Sequence, residues 1–134
     1  MPITQNYRAY ARAKDLIPDE QMPKTDAEIP ARSADLLARY PNDPRSHVFR
    51  AASLLGNRDW VGAQAELETA LAQVDVIRFY ISRKFEMQTR GLLAQALFNQ
   101  GKIADAKAHA KRACASPDTP EKALGALKGL HLCE

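Results

Sequence analysis

Apolar residues recur three and four positions apart along most of this chain, and no segment sustains the period-two alternation of a strand. The pattern predicts an all-α fold of about seven helices. The first spans 4–16, with Tyr7, Tyr10, Ala11 and Leu16 on its apolar side. Pro18 and Pro23 bracket a polar connector. A second helix spans 26–39, capped by Thr25 or Asp26, with Ile29, Leu36, Leu37 and Tyr40 apolar. Pro30 is tolerated there because first-turn N–H groups have no helical partner. Pro41 stops this helix, Asp43 caps the next, and Pro44 takes its first position. That third helix runs 44–55, and a fourth, capped by Asp59, runs 60–73. Asp75 is the expected cap of a long helix reaching 99, with a break expected near Ser82 or Met87. The sixth and seventh helices span 102–115 and 120–130, separated by a second stop-and-restart at 116–120.

Within this run one pattern occurs twice. Residues 56–71 (GNRDWVGAQAELETAL) and 99–114 (NQGKIADAKAHAKRAC) each start with a Gly-containing turn and an apolar residue, Trp60 or Ile103. An alanine follows (Ala63, Ala106), and seven residues later another (Ala70, Ala113). Seven residues is nearly two helical turns, so both alanines of a pair share a face. Methyl-sized side chains there allow a neighbouring helix to approach closely. A duplicated unit of this kind indicates a repeat protein, and such proteins usually bind rather than catalyse.

The helix pairs 44–73 and 87–115 resemble the tetratricopeptide repeat (TPR), a helix–turn–helix unit of about 34 residues. The resemblance rests on Ala51, Leu54, 57–60, Ala63, Leu67, Ala70 and Leu71, and on Leu93, Ala94, Leu97, 100–103, Ala106, Ala110 and Ala113. It implies a right-handed α-α superhelix in a single domain. Helices 1–43 would hold a degenerate repeat, 44–73 and 87–116 the two clear ones, and 119–134 a capping helix. Ala63 and Ala106 are 43 residues apart, so an insertion of about nine residues against the family period falls at 74–86. It holds Phe79, Tyr80 and Phe85 beside Arg78, Arg83 and Lys84. One reading packs its apolar side on the core; another makes 77–85 a partner or homodimer surface.

The resemblance also implies a concave groove lined by the first helix of each unit. The inward positions are Val48, Ala52 and Leu55, then Gly91, Gln95 and Phe98, with Arg45 and Gln88 at the rim. These positions carry no Lys/Asn clamp for a terminal carboxylate, so an apolar groove that takes a helix or an extended segment is expected. Separately, residues 39–51 (RYPNDPRSHVFRA) with the closing Leu130, His131, Leu132 and Cys133 are similar to soluble segments that follow the membrane domain of some bacterial rhomboid-type intramembrane proteases. That similarity implies a regulatory or docking appendage; the membrane helices and Ser/His dyad of that family are not in this sequence.

Composition changes this picture little. The 134 residues are 46% hydrophobic and 26% charged, the balance of one ordinary globular domain. Residues 1–74 carry nine Lys+Arg against ten Asp+Glu, and residues 75–134 ten against six. The basic half hints at an acidic partner. No basic patch interleaved with aromatics appears, so nucleic acid is not an expected partner. No apolar stretch approaches the roughly 20 residues of a membrane span. Cys114 and Cys133 are too few for a disulfide framework, Cys114 falls on an apolar face, and this usage fits a reducing, cytoplasmic setting.

Chemistry-bearing motifs are missing. His47, His109 and His131 form no HExxH or zinc spacing, and GxSxG, Walker and GxGxxG motifs do not occur. Ser46 and His47 are adjacent, which points them apart on a helix. The expectation is a non-catalytic module without metal or cofactor that binds a protein or peptide.

Overall fold

The computed structural model describes residues 15–77 and 81–134. Among these, the chain forms six α-helices and one short 3-10 turn at Asp19–Gln21, with no strand. The helices are α1 (Glu28–Arg39), α2 (Pro44–Gly56), α3 (Trp60–Val76), α4 (Arg83–Asn99), α5 (Ile103–Ala115) and α6 (Glu121–Gly129). The fold is all-α, as the periodicity predicts. The helix expected over 4–16 falls outside the described residues, apart from Asp15 and Leu16, which lie in a turn and a bend.

Each helix packs chiefly on its chain neighbours: α1 on α2, α2 on α3, α3 on α4 and α4 on α5. α6 folds back on α4 as well as on α5. Ala63, Ala70, Ala106 and Ala113 are all fully buried, with Ala51, Ala94, Ala96 and Ala110. Leu67, Leu93, Leu97 and Leu127 fill the space between them, making one continuous core. The turn ends of the two hairpins are joined by Gln100. Its Nε2 donates to the Trp60 carbonyl (3.3 Å), to Gln64 Oε1 (2.8 Å) and to the Ala96 carbonyl (3.1 Å).

Three helices end in the same way. After α2, α4 and α6 one residue takes a left-handed conformation: Arg58 (φ 60°), Gly101 (φ 78°) and His131 (φ 60°). The next N–H then reaches back to the third-last helical carbonyl: Asp59 to Leu54 (2.9 Å), Lys102 to Leu97 (3.0 Å) and Leu132 to Leu127 (2.9 Å). This is the Schellman arrangement, which satisfies carbonyls left open at a helix end. Only Gly101 fits it without steric cost.

The structure corrects three expectations. Asp75 does not start a helix, because α3 runs on through it to Val76, burying Val74 and Ile77 on the core. The break expected near Ser82 is found there: α4 begins at Arg83, and Ser82 caps it by accepting from the Phe85 N–H (3.1 Å). Neither Thr25 nor Asp26 caps α1; the cap position is Ala27, with no side-chain bond. Glu28 does the work from inside the first turn, where its Oε2 accepts the N–H of Lys24 (2.6 Å) and of Thr25 (3.3 Å). The Lys24 hydrogen bond, then that of Thr25, holds its carboxyl below the usual range.

The third correction concerns the cysteines. Cys114, at the end of α5, and Cys133, in the closing tail, form a disulfide with Cα atoms 5.6 Å apart. Both are half-buried against the core. The count of two cysteines carries no sign that the turn at His131 returns the tail to the end of α5. With the pair joined, cysteine usage no longer argues for a reducing compartment.

Candidate functional site

A groove of about 560 Å³ lies between α1, α2, α4 and α6. Its floor on α2 is Arg45, Val48, Phe49, Ala52 and Ser53. These five are spaced i, i+3, i+4, i+7 and i+8, a single helical stripe. Phe85, Gln88, Leu92 and Gln95 form the facing stripe on α4. Met22, Ile29 and Pro30 close one side, and Pro120, Ala123 and Ala126 the other. Asp26 and Lys122 stand at the mouth from opposite walls, 3.9 Å apart and more than nine-tenths exposed. An ion pair so exposed contributes little energy but marks how near α1 and α6 come.

Of the eleven positions expected to line the groove or form the partner surface of the inserted segment, six meet here: Arg45, Val48, Ala52, Gln88, Gln95 and Phe85. Phe85 arrives there although it was read as part of the inserted segment, because α4 begins earlier than its repeat unit. Leu55 and Phe98 lie outside the lining, half-buried against the core. Each sits one residue from the end of its helix, α2 or α4, at a hairpin turn. Phe79 and Tyr80 fall outside the described residues. Ile77, at one end of the suggested dimer surface, is fully buried rather than presented outward.

Gly91 does not face the groove. A Cβ there would meet Ala123 Cβ at 3.5 Å and Leu127 Cδ1 at 3.8 Å. Gly91 is the seat on which α6 rests, and α6 in turn supplies a groove wall. Sequence reasoning missed that wall, because nothing in the periodicity of 120–130 says which neighbour it covers. Phe49 and Ser53 had a legible signal, since they complete the helical stripe with Val48 and Ala52.

Arg45 is not a free rim cation. Its guanidinium is held by Asp43, with Nη2 2.8 Å from Oδ2, and Nη2 also donates to the Ile17 carbonyl (3.3 Å). Asp43 is fully buried. Besides capping α2 through the Arg45 N–H (2.9 Å), it accepts the Ile17 N–H at 2.8 Å. A buried carboxylate is tolerated when paired and hydrogen-bonded in this way. Asp43 and Arg45 therefore tie the segment before α1 to the start of α2.

Two histidines are engaged within the fold. His47 Nδ1 lies 2.8 Å from Glu66 Oε2, and its Nε2 lies 2.8 Å from the Pro41 carbonyl, which also accepts from Gln73 Nε2 (2.7 Å). His109 Nδ1 lies 3.2 Å from Arg90 Nη1. Arg90 Nε reaches buried Glu86 at 3.4 Å. Burial first, and the Arg90 charge second, lower the affinity of His109 for a proton. Both clusters bind helix to helix and stand outside the groove. No group of three His, Cys, Asp or Glu among the described residues could hold a metal ion.

No protein-family model matches the sequence, and neither a curated protein nor a solved structure is significantly similar to it. The groove is thus read from its own chemistry. No helix of the described residues is long and apolar enough to cross a membrane.

Proposed function

We propose that this chain is a non-catalytic interaction module that takes the apolar face of a partner segment into the groove between α1, α2, α4 and α6. One observation carries the reading. The groove is lined by a continuous stripe of apolar and small residues, and Arg45 in its lining is already held by buried Asp43. Such a site favours side chains that leave water over a ligand needing a counter-charge. Gln88 and Gln95 remain to fix a backbone by hydrogen bonds. A helix presenting residues at i, i+3 and i+7, or an extended strand, matches a groove of this shape.

The helix order supports reading α2–α3 and α4–α5 as two tetratricopeptide-like hairpins stacked into a short superhelix. Each pair is joined by a tight turn, and the four matched alanines sit at its contacts. The similarity of residues 39–51 to a rhomboid protease segment gains no independent support. Its Asp43, Pro44 and Arg45 are accounted for by capping and by the tie to Ile17.

The test is selection of random linear peptides on the oxidised full chain, followed by amide chemical-shift mapping with the best binder. Shifts should cluster on Val48, Ala52, Leu92 and Gln95. Ala52→Glu should weaken binding at least tenfold with the helical spectrum unchanged. Shifts confined to another face would refute the reading.

A further inference from the structure

The geometry points to a redox latch: the Cys114–Cys133 disulfide holds α6 in place, and its reduction by a dithiol releases α6 and dismantles one wall of the groove. This inference concerns the regulation of the proposed binding site and rests on that reading for its biological meaning.

The disulfide spans 19 residues, and α6 lies wholly within the loop it closes. The latch has three parts in series. α6, with Pro120 at its N-cap, supplies Lys122, Ala123 and Ala126 to the groove. Leu127 and Leu132, both buried, anchor its far end across the turn at His131. Cys133 follows at once and is bonded to α5. α6 is nine residues long, too short to be stable without its packing. It also ends on a left-handed non-glycine residue, His131, which adds local strain. The attachment of α6 therefore depends on a few side chains and on the covalent tie.

Neither cysteine is fully buried, which leaves a small thiolate a path to the bond. One thiolate of the dithiol attacks one sulfur, and the other cysteine leaves as a thiolate that takes up a proton. The second thiol of the reductant then attacks the mixed disulfide, freeing the first cysteine and closing the reductant into its own disulfide. Two electrons and two protons pass to the protein. Opening α6 in the oxidised chain leaves Cys133 tethered to Cys114, which limits what the loosened segment gains in entropy. Opening it in the reduced chain carries no such restriction. For a loop of this length the difference is about two orders of magnitude in the opening equilibrium.

Hydrogen exchange on the full chain, with and without dithiothreitol, tests this directly. The amides of Ala123, Leu124 and Leu127 should exchange at least tenfold faster after reduction, while those of α2 and α3 keep their protection. Cys133→Ser should reproduce the reduced pattern without any reductant. The methyl resonances of Leu92 and Ala52, across the groove, should shift with it. Unchanged protection of α6 in the reduced chain would overturn the latch. So would an equal loosening of every helix, which would make the disulfide a staple of the whole domain. Wild-type chain with reductant supplies the answer even if the variant does not fold. Neither readout uses a groove ligand: a failed latch leaves peptide binding by the oxidised chain intact, and a failed groove leaves the exchange difference intact.

Discussion

Arg58 and Gly101 occupy the same place at the ends of α2 and α4, yet only one is a glycine. The left-handed conformation crowds a Cβ against the neighbouring carbonyl, at a cost of about 1 kcal/mol. Arg58→Gly should therefore raise stability by about 1 kcal/mol, and Gly101→Ala should lower it by a similar amount. Urea denaturation of the two variants reads the pair, and equal responses would contradict the shared geometry. His109 offers a test by pH. Its folded-state proton affinity is lowered, so as pH falls through the ordinary histidine range the unfolded chain gains a proton that the folded chain refuses. Stability should decline across that window, then level off below the folded-state value. Denaturation midpoints from pH 8 to pH 5 should be flatter in His109→Gln than in wild type. At this scale the sequence was informative where bonding is local. Asp43 capping α2 was legible from Pro44 beside it, but its second bond, to Ile17 26 residues away, was not.

Helices were legible where apolar spacing alone decides them. The matched alanines foretold contacts, and all four are fully buried at the joints between helices. Ala106→Leu should cost about 1–3 kcal/mol by overpacking a contact built for a methyl group, whereas Ala104→Leu, on the exposed side of the same helix, should cost little. Thermal denaturation of both variants checks the difference. What failed was the boundary between α3 and α4. Asp75 looks like a cap in isolation, yet Val74 and Ile77 gain more by staying in register with the core. Helix length follows what the last turn can bury, and a local polar signal yields to that. Gly91 makes a further prediction about α6. Gly91→Ala adds a methyl at ordinary contact distance from Ala123 and should leave α6 seated. Gly91→Leu should push it away, seen as loss of exchange protection at Ala123 and Leu127.

For the whole molecule, the class of fold could be read from periodicity, but the groove could be read only in part. Two of its walls are stripes on single helices, α2 and α4, and those positions were largely anticipated. The other walls depend on α6 returning to α4 and on the segment before α1 being pinned at Asp43. Contacts between elements distant in sequence leave no periodic trace, which is also why the disulfide went unread.

The most direct measurement of the binding account places a nitroxide at one end of the selected peptide and records paramagnetic broadening on the oxidised chain. The account predicts broadening at Ala52, Leu92, Gln95 and Ala123, from walls on three different helices. Broadening centred instead on the exposed Val61 and Ile103 near the hairpin turns, with those four left sharp, would contradict it.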